Sequence, residues 1–219
     1  MGGTGRVRLV ARGSSREARR VRRVGRDWLA RPVLEVAPQL LGCHVTVRGV
    51  TVRLTEVEAY AGEVDPGSHA FRGPTRRNEV MFGEAGHLYV YLSYGMHLCA
   101  NLVTGEPGSA SAVLLRAGEV IAGRELVVAR RAVRERDWAR GPGRLGATLA
   151  LSREDNGIDL CAGGRDAGVE RPERPLDPAL IRTGPRVGVS GPGGAADAYP
   201  WRFWIDGEPT VSVYRPGRL

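Results

Sequence analysis

Residues 43–60, CHVTVRGVTVRLTEVEAY, alternate apolar and polar side chains on both sides of an Arg48-Gly49 dipeptide. Alternation with a period of two sends successive side chains to opposite faces of a strand. A two-residue break ending in glycine suits a tight reversal. The stretch therefore predicts an antiparallel strand pair ending near Tyr60. Residues 87–103, HLYVYLSYGMHLCANLV, predict a second pair that bends at Ser93-Tyr94-Gly95. Strands that return by short turns argue for an antiparallel α+β domain rather than repeated βαβ units. The expected architecture is one domain over residues 27–219, with a curved antiparallel sheet and peripheral helices, behind a basic, disordered arm at residues 1–26.

The remaining segments are assigned around these pairs. Val33, Val36, Ala37, Leu40 and Leu41 recur at helical spacing and stop at Gly42, with Pro38 fitting only in the first turn or at a kink. Residues 61–82 show no period and read as a long loop of the kind that usually carries function. SAVLLRA, 111–117, reads as a short buried strand, residues 122–139 as a helix with a charged outer face, and RLGATLAL, 144–151, as another short helix. Residues 152–183 read as loop-rich, and GPRVGVS, WRFWID and TVSVY as late strands.

Charge narrows the function. All 32 basic residues are arginine, so no lysine side chain is present to form an imine with a sugar aldehyde. Residues 1–31 hold ten arginines against Glu17 and Asp27, which accounts for the whole net charge of +8. A basic arm on a neutral body suits a polyanionic partner, since neutralising phosphates releases counterions. An arginine-rich tail without a role is the alternative. No apolar run is long enough to span a membrane, and the arm lacks the apolar segment of a secretory signal. Cys43, Cys99 and Cys161 are odd in number and lack a C-x-x-C pair, which suits a reduced, cytoplasmic protein. His97-x-Cys99 is read as packing, and no metal or cofactor is expected.

Two stretches carry chemistry. On a strand, Glu56, Glu58 and Tyr60 share a face, which is either a solvated face or a carboxylate set to activate a water beside an aromatic wall. Tyr89 and Tyr91 share a face opposite Leu88, Val90 and Leu92, which suffice for the core. Tyr94 falls at the bend, where a ring either caps the sheet or wedges between stacked bases.

With TEVEAY, SHAFRG, RRNEVMF, GHLYVYLSYGMHLCANLV, VLLRA, GPGRLGATLAL, GPRVGV and PWRFW in this order, the chain from about Asp27 onward resembles the alkyladenine, or 3-methyladenine, DNA glycosylase family (the mammalian AAG/MPG type). The resemblance implies a monomeric, monofunctional enzyme acting on double-stranded DNA that contains damaged purines, nucleoid-associated in a bacterium. The damaged nucleotide is flipped out of the duplex. Glu58 is then the carboxylate that deprotonates a water for attack on the sugar C1′, and Arg116 helps place that water. Tyr60 and His69 lie on one side of the flipped base and Tyr91 on the other. Asn101 crowds the 2-amino group of guanine, and His69 offers a backbone N–H to the purine edge. Tyr94 fills the gap left in the duplex. The chain departs from the family pattern at Arg76, Arg144, Gly146 and His97. A non-catalytic nucleic-acid binding module and a sugar hydrolase using Glu56 with Glu58 are the other readings.

Overall fold

A computed structural model describes residues 21–164 and 166–217. The fold is α+β, a single domain built on one large antiparallel sheet. Its strands are β1 (Val21–Arg23), β2 (His44–Val47), β3 (Val50–Tyr60), β4 (Leu88–Ser93), β5 (His97–Val103), β6 (Ala112–Ala122), β7 (Ala167–Pro172), β8 (Ile181–Gly184) and β9 (Arg202–Ile205). They run in the order β1-β7-β2-β3-β6-β5-β4, and β9 pairs with both β3 and β8. Short helices α1 (Arg26–Leu29), α2 (Val33–Gln39), α3 (Arg124–Val128) and α4 (Pro142–Thr148) lie around the sheet.

The first hairpin forms as its alternation predicts. Val47 pairs with Val50, and Arg48 and Gly49 take φ values of 49° and 77°. Both central residues are thus left-handed, the condition of the turn that matches strand twist. Arg48 accepts this strained backbone while its guanidinium grips both oxygens of Asp155, at 2.7 and 2.6 Å. In α2 the spaced residues Val33, Val36 and Ala37 are buried, with Leu40 and Leu41 beyond them, and Pro38 sits in the last turn.

Strand β3 contains the feature that creates the site. Val50, Val52 and Leu54 point into the main core, but so do Val57 and Ala59. The parity changes because pairing with β6 slips between Leu54 and Glu56, and again between Glu56 and Val57. An extra residue in a strand re-aims every side chain beyond it. At these two slips Thr55 on β3 and Arg116 on β6 are left out of the register. Glu56, Glu58 and Tyr60 consequently face away from the main core, as does Arg116 opposite them.

Several expectations are corrected. Strand β6 is eleven residues long, not a short piece. The helix expected over 122–139 ends at Val128. Between Val128 and Arg136 no side chain is buried, so nothing rewards continuing it, and helices draw most of their stability from such burial. The loop-rich 152–183 contains β7, which lies inside the sheet between β1 and β2. Of GPRVGVS only Gly184 is in a strand, and TVSVY forms none. Residues 1–20 of the expected arm lie outside the described residues. Val21–Arg23 form β1 on β7, and Val24 is buried.

Candidate active site

Glu58 is fully buried in the middle of the sheet, with Leu114 of β6 on one side and Arg202 of β9 on the other. Its Oε1 accepts the backbone N–H of Val187 at 2.7 Å and lies 3.2 Å from Nη1 of Arg116. Its Oε2 accepts the hydroxyl of Tyr60 at 2.9 Å. A carboxylate offers about four acceptor positions, so these three neighbours leave one open.

Glu56 is equally buried but committed elsewhere. Its Oε1 takes Nε of Arg116 at 2.9 Å, Nε of Arg202 at 2.7 Å and the hydroxyl of Ser212 at 2.9 Å, and its Oε2 takes the N–H of Ser212 at 2.7 Å. Burial alone would raise the Glu56 pKa, but the charges of Arg116 and Arg202 and the Ser212 N–H outweigh it and leave it below 4.5. Arg116 thus stands between two carboxylates. Burial opposes its charge, yet Glu58 and Glu56 raise its pKa further above the ordinary arginine value.

A cavity of about 980 Å³ opens above this pair. Glu58, Tyr60, His69, Tyr91, Tyr94, Asn101 and Arg116, the seven residues singled out in the sequence, all line it, and Glu56 does not. The loop that carries His69 is held by Asn78, whose side chain donates to the carbonyls of His69 and Gly73 and accepts the N–H and hydroxyl of Thr75. Arg76 sits inside that braced turn. Burial, with Arg77 nearby, lowers the His69 pKa below 6.5, so the ring is neutral at pH 7. Burial, with Glu58 beside it, raises the Tyr60 pKa well above 10.0, so its hydroxyl keeps its proton.

The aromatic walls differ from the expected arrangement. His69 and Tyr91 meet edge to face, with ring centroids 4.6 Å apart and planes at 84°. A ring sandwiched between two others needs about 7 Å, twice a normal contact. No purine fits between these two, so they form one wall. Tyr89 does not reach the cavity. It is fully buried behind Tyr91, stacked at 5.3 Å, with its hydroxyl 3.3 Å from Nδ1 of His69. Oδ1 of Asn101 is buried with no hydrogen-bond partner among the described residues.

Tyr94 stands at the mouth. Its φ is 50° and that of Gly95 is 69°, and the N–H of Met96 closes the turn onto Ser93. Tyr94 is 83% exposed. Beside it, α4 lies directly on β5: a Cβ at Gly146 would come within 2.0 Å of the Leu98 carbonyl, which accounts for glycine there. Arg144 is half-exposed and pairs with Asp137 at 3.4 Å. Among the described residues, no three of His, Cys, Asp and Glu gather in a way that could hold a metal.

Compared with known proteins, the chain falls among the DNA glycosylases. Residues 27–209 match the model of the methylpurine-DNA glycosylase (MPG) family, and the chain belongs to that family. A protein of Streptomyces avermitilis named "Putative 3-methyladenine DNA glycosylase" is 53% identical over 197 residues, covering 87% of this chain and 91% of that protein. One of the same name from Frankia casuarinae is 53% identical over 206 residues, covering 89% and 94%. A third, from Leifsonia xyli, is 52% identical over 202 residues, covering 87% and 92%.

Sequence reasoning missed Asp65, Arg186, Val187, Arg202 and Ser212, which hold the carboxylates and the ring of Tyr60 in place. Val187 acts through its backbone N–H, and Ser212 partly so, which no side-chain pattern displays.

Proposed function

We propose that this chain flips damaged purine nucleotides out of double-stranded DNA and hydrolyses the N-glycosidic bond with a water activated by Glu58, leaving an abasic site. The observation that carries the reading is Glu58 at the base of an aromatic-walled cavity, held by three neighbours with one acceptor position open. A water in that position donates a proton to the carboxylate as its oxygen attacks the sugar C1′. The bond between C1′ and the purine nitrogen breaks, and its electron pair leaves with the base. Arg116, fixed between Glu56 and Glu58, orients Glu58 and the water.

The base stacks between Tyr60 and the wall made by His69 and Tyr91. Stacking is worth roughly 1–3 kcal/mol per base, and aromatic faces favour a cationic ring. A purine alkylated at N3 is cationic and leaves readily, so little acid catalysis is required. A neutral His69 suits such a base, because a charged imidazole would repel it. Asn101 faces the cavity, where it disfavours guanine by crowding the 2-amino group. Tyr94 enters the space the nucleotide vacates.

The absence of lysine supports a monofunctional enzyme without strand-cutting lyase chemistry. The arginines of the N-terminal segment act as an electrostatic tether to DNA. The paired-carboxylate sugar hydrolase gains no support, because Glu56 does not line the cavity and its oxygens are taken by Arg116, Arg202 and Ser212.

Glu58→Gln tests the reading. The variant should release no base from methylated, hypoxanthine or ethenoadenine duplexes, read by alkaline strand cleavage, while still binding them. Turnover retained in Glu58→Gln removes that residue from the reaction. No release by the unaltered protein, with DNA binding intact, would favour a binding module instead.

A further inference from the structure

Behind Tyr60, outside the cavity, lies an ion pair that the mechanism above does not use. Arg186 and Asp65 are both fully buried. Their contact is bidentate, with Nη1 on Oδ2 at 2.6 Å and Nη2 on Oδ1 at 2.7 Å. The other N–H groups of Arg186 go to the carbonyls of Ala59, at 3.1 Å, and Gly193, at 3.2 and 2.6 Å. All five donors of the guanidinium are therefore used. Asp65 also accepts the N–H groups of Ala61 and Gly67.

The pair reaches Glu58 only indirectly, through two of that carboxylate's partners. The guanidinium lies 4.5 Å from the centre of the Tyr60 ring, and the hydroxyl of that ring donates to Oε2 of Glu58. Arg186 also immediately precedes Val187, whose N–H donates to Oε1 of Glu58. The carbonyl of Ala59, between Glu58 and Tyr60, is held by the same guanidinium. A buried ion pair is weak evidence for a stabilising role, since apolar replacements are often neutral or better. Its value here is geometric.

We infer that the Asp65–Arg186 pair is a positioning device for Glu58, setting the Tyr60 hydroxyl and the Val187 N–H that fix the carboxylate's orientation. This rests on the proposed role of Glu58 in activating water. Neither Asp65 nor Arg186 lines the cavity, so both act through the residues they hold.

The test is single-turnover release of methylpurines from methylated duplex DNA at saturating enzyme, with affinity measured separately on a duplex carrying a tetrahydrofuran abasic analogue. Asp65→Asn and Arg186→Lys should slow release by at least about tenfold, since small misplacements of catalytic groups have large effects on rate. Affinity should stay within about twofold, because the DNA-facing residues are untouched. Each loss combined with Tyr60→Phe should fall short of the product of the single losses, because both act on one hydrogen bond. If the single variants fail to fold, the apolar double variant Asp65→Leu with Arg186→Met replaces the pair without leaving a lone charge; it should fold, bind and release slowly. Wild-type release by any folded variant, losses that multiply, or a rate that falls only with the folded fraction would overturn the positioning role. Glu58→Gln still releasing base would instead remove the reading beneath it.

Discussion

Glu56→Gln should destabilise the fold severely although Glu56 does not line the cavity. The carboxylate accepts four hydrogen bonds, two from the guanidinium groups of Arg116 and Arg202 and two from Ser212. Glutamine keeps one acceptor oxygen, and its amide turns a donor toward donors. Arg116 retains Glu58 at 3.2 Å, but among the described residues Arg202 keeps only the Ser212 carbonyl as a hydrogen-bond partner. Removing one member of a buried ion pair costs about 3–5 kcal/mol. At about 2–4 °C per kcal/mol for a chain of this size, melting should fall by roughly 6–20 °C. The effect also carries a sign in pH. The Glu56 pKa is lowered from 4.5, so its stabilisation is complete above that value and is lost as pH falls through the lower folded value. Urea titrations of both proteins at a series of pH values should show a wide gap at pH 7 that narrows in acid. A gap below about 1 kcal/mol at pH 7, the size expected of an exposed pair, would refute the argument. So would a gap that does not change with pH.

Two further outcomes follow from the DNA contacts proposed above. Tyr94→Ala should weaken duplex binding by roughly 1–3 kcal/mol of lost stacking and reduce the signal of a fluorescent base placed beside the lesion; equal affinity and equal signal would exclude the wedge. Deleting residues 1–20, which carry six arginines and Glu17, should flatten the salt dependence of binding and leave the single-turnover rate nearly unchanged. A large fall in that rate would place the segment in the site.

Local patterns revealed what local forces build. The Arg48-Gly49 hairpin, the apolar stripe of α2 and the tyrosine hairpin were legible because each depends on neighbouring residues. The seven cavity residues were legible too, four of them from strand faces and a bend and the others through the resemblance. What stayed hidden depends on distant partners. Strand β7 has few buried side chains of its own and exists because β1 and β2 supply its ladder bonds. GPRVGVS and TVSVY alternate like strands, but the N–H groups of Val187 and Ser212 are given to Glu58 and Glu56 instead of a neighbouring strand. The arrangement of the walls differs from the sequence expectation because the perpendicular contact between the His69 and Tyr91 rings depends on how a distant loop packs on β4.

The hairpin tip shows how this fold divides its stability. A tyrosine at φ 50° occupies backbone that costs an L-residue about 1–2 kcal/mol, and its ring gains almost no burial in return. Glycine at the same position would relax the turn and make the free protein more stable. The strain is therefore carried during folding, so the ring already projects from the tip when DNA arrives and little ordering remains to be done at contact. Selection for thermal stability alone would remove Tyr94 among the first residues, and with it the wedge proposed above. Screens for hardier variants of this chain should accordingly score DNA engagement alongside melting temperature.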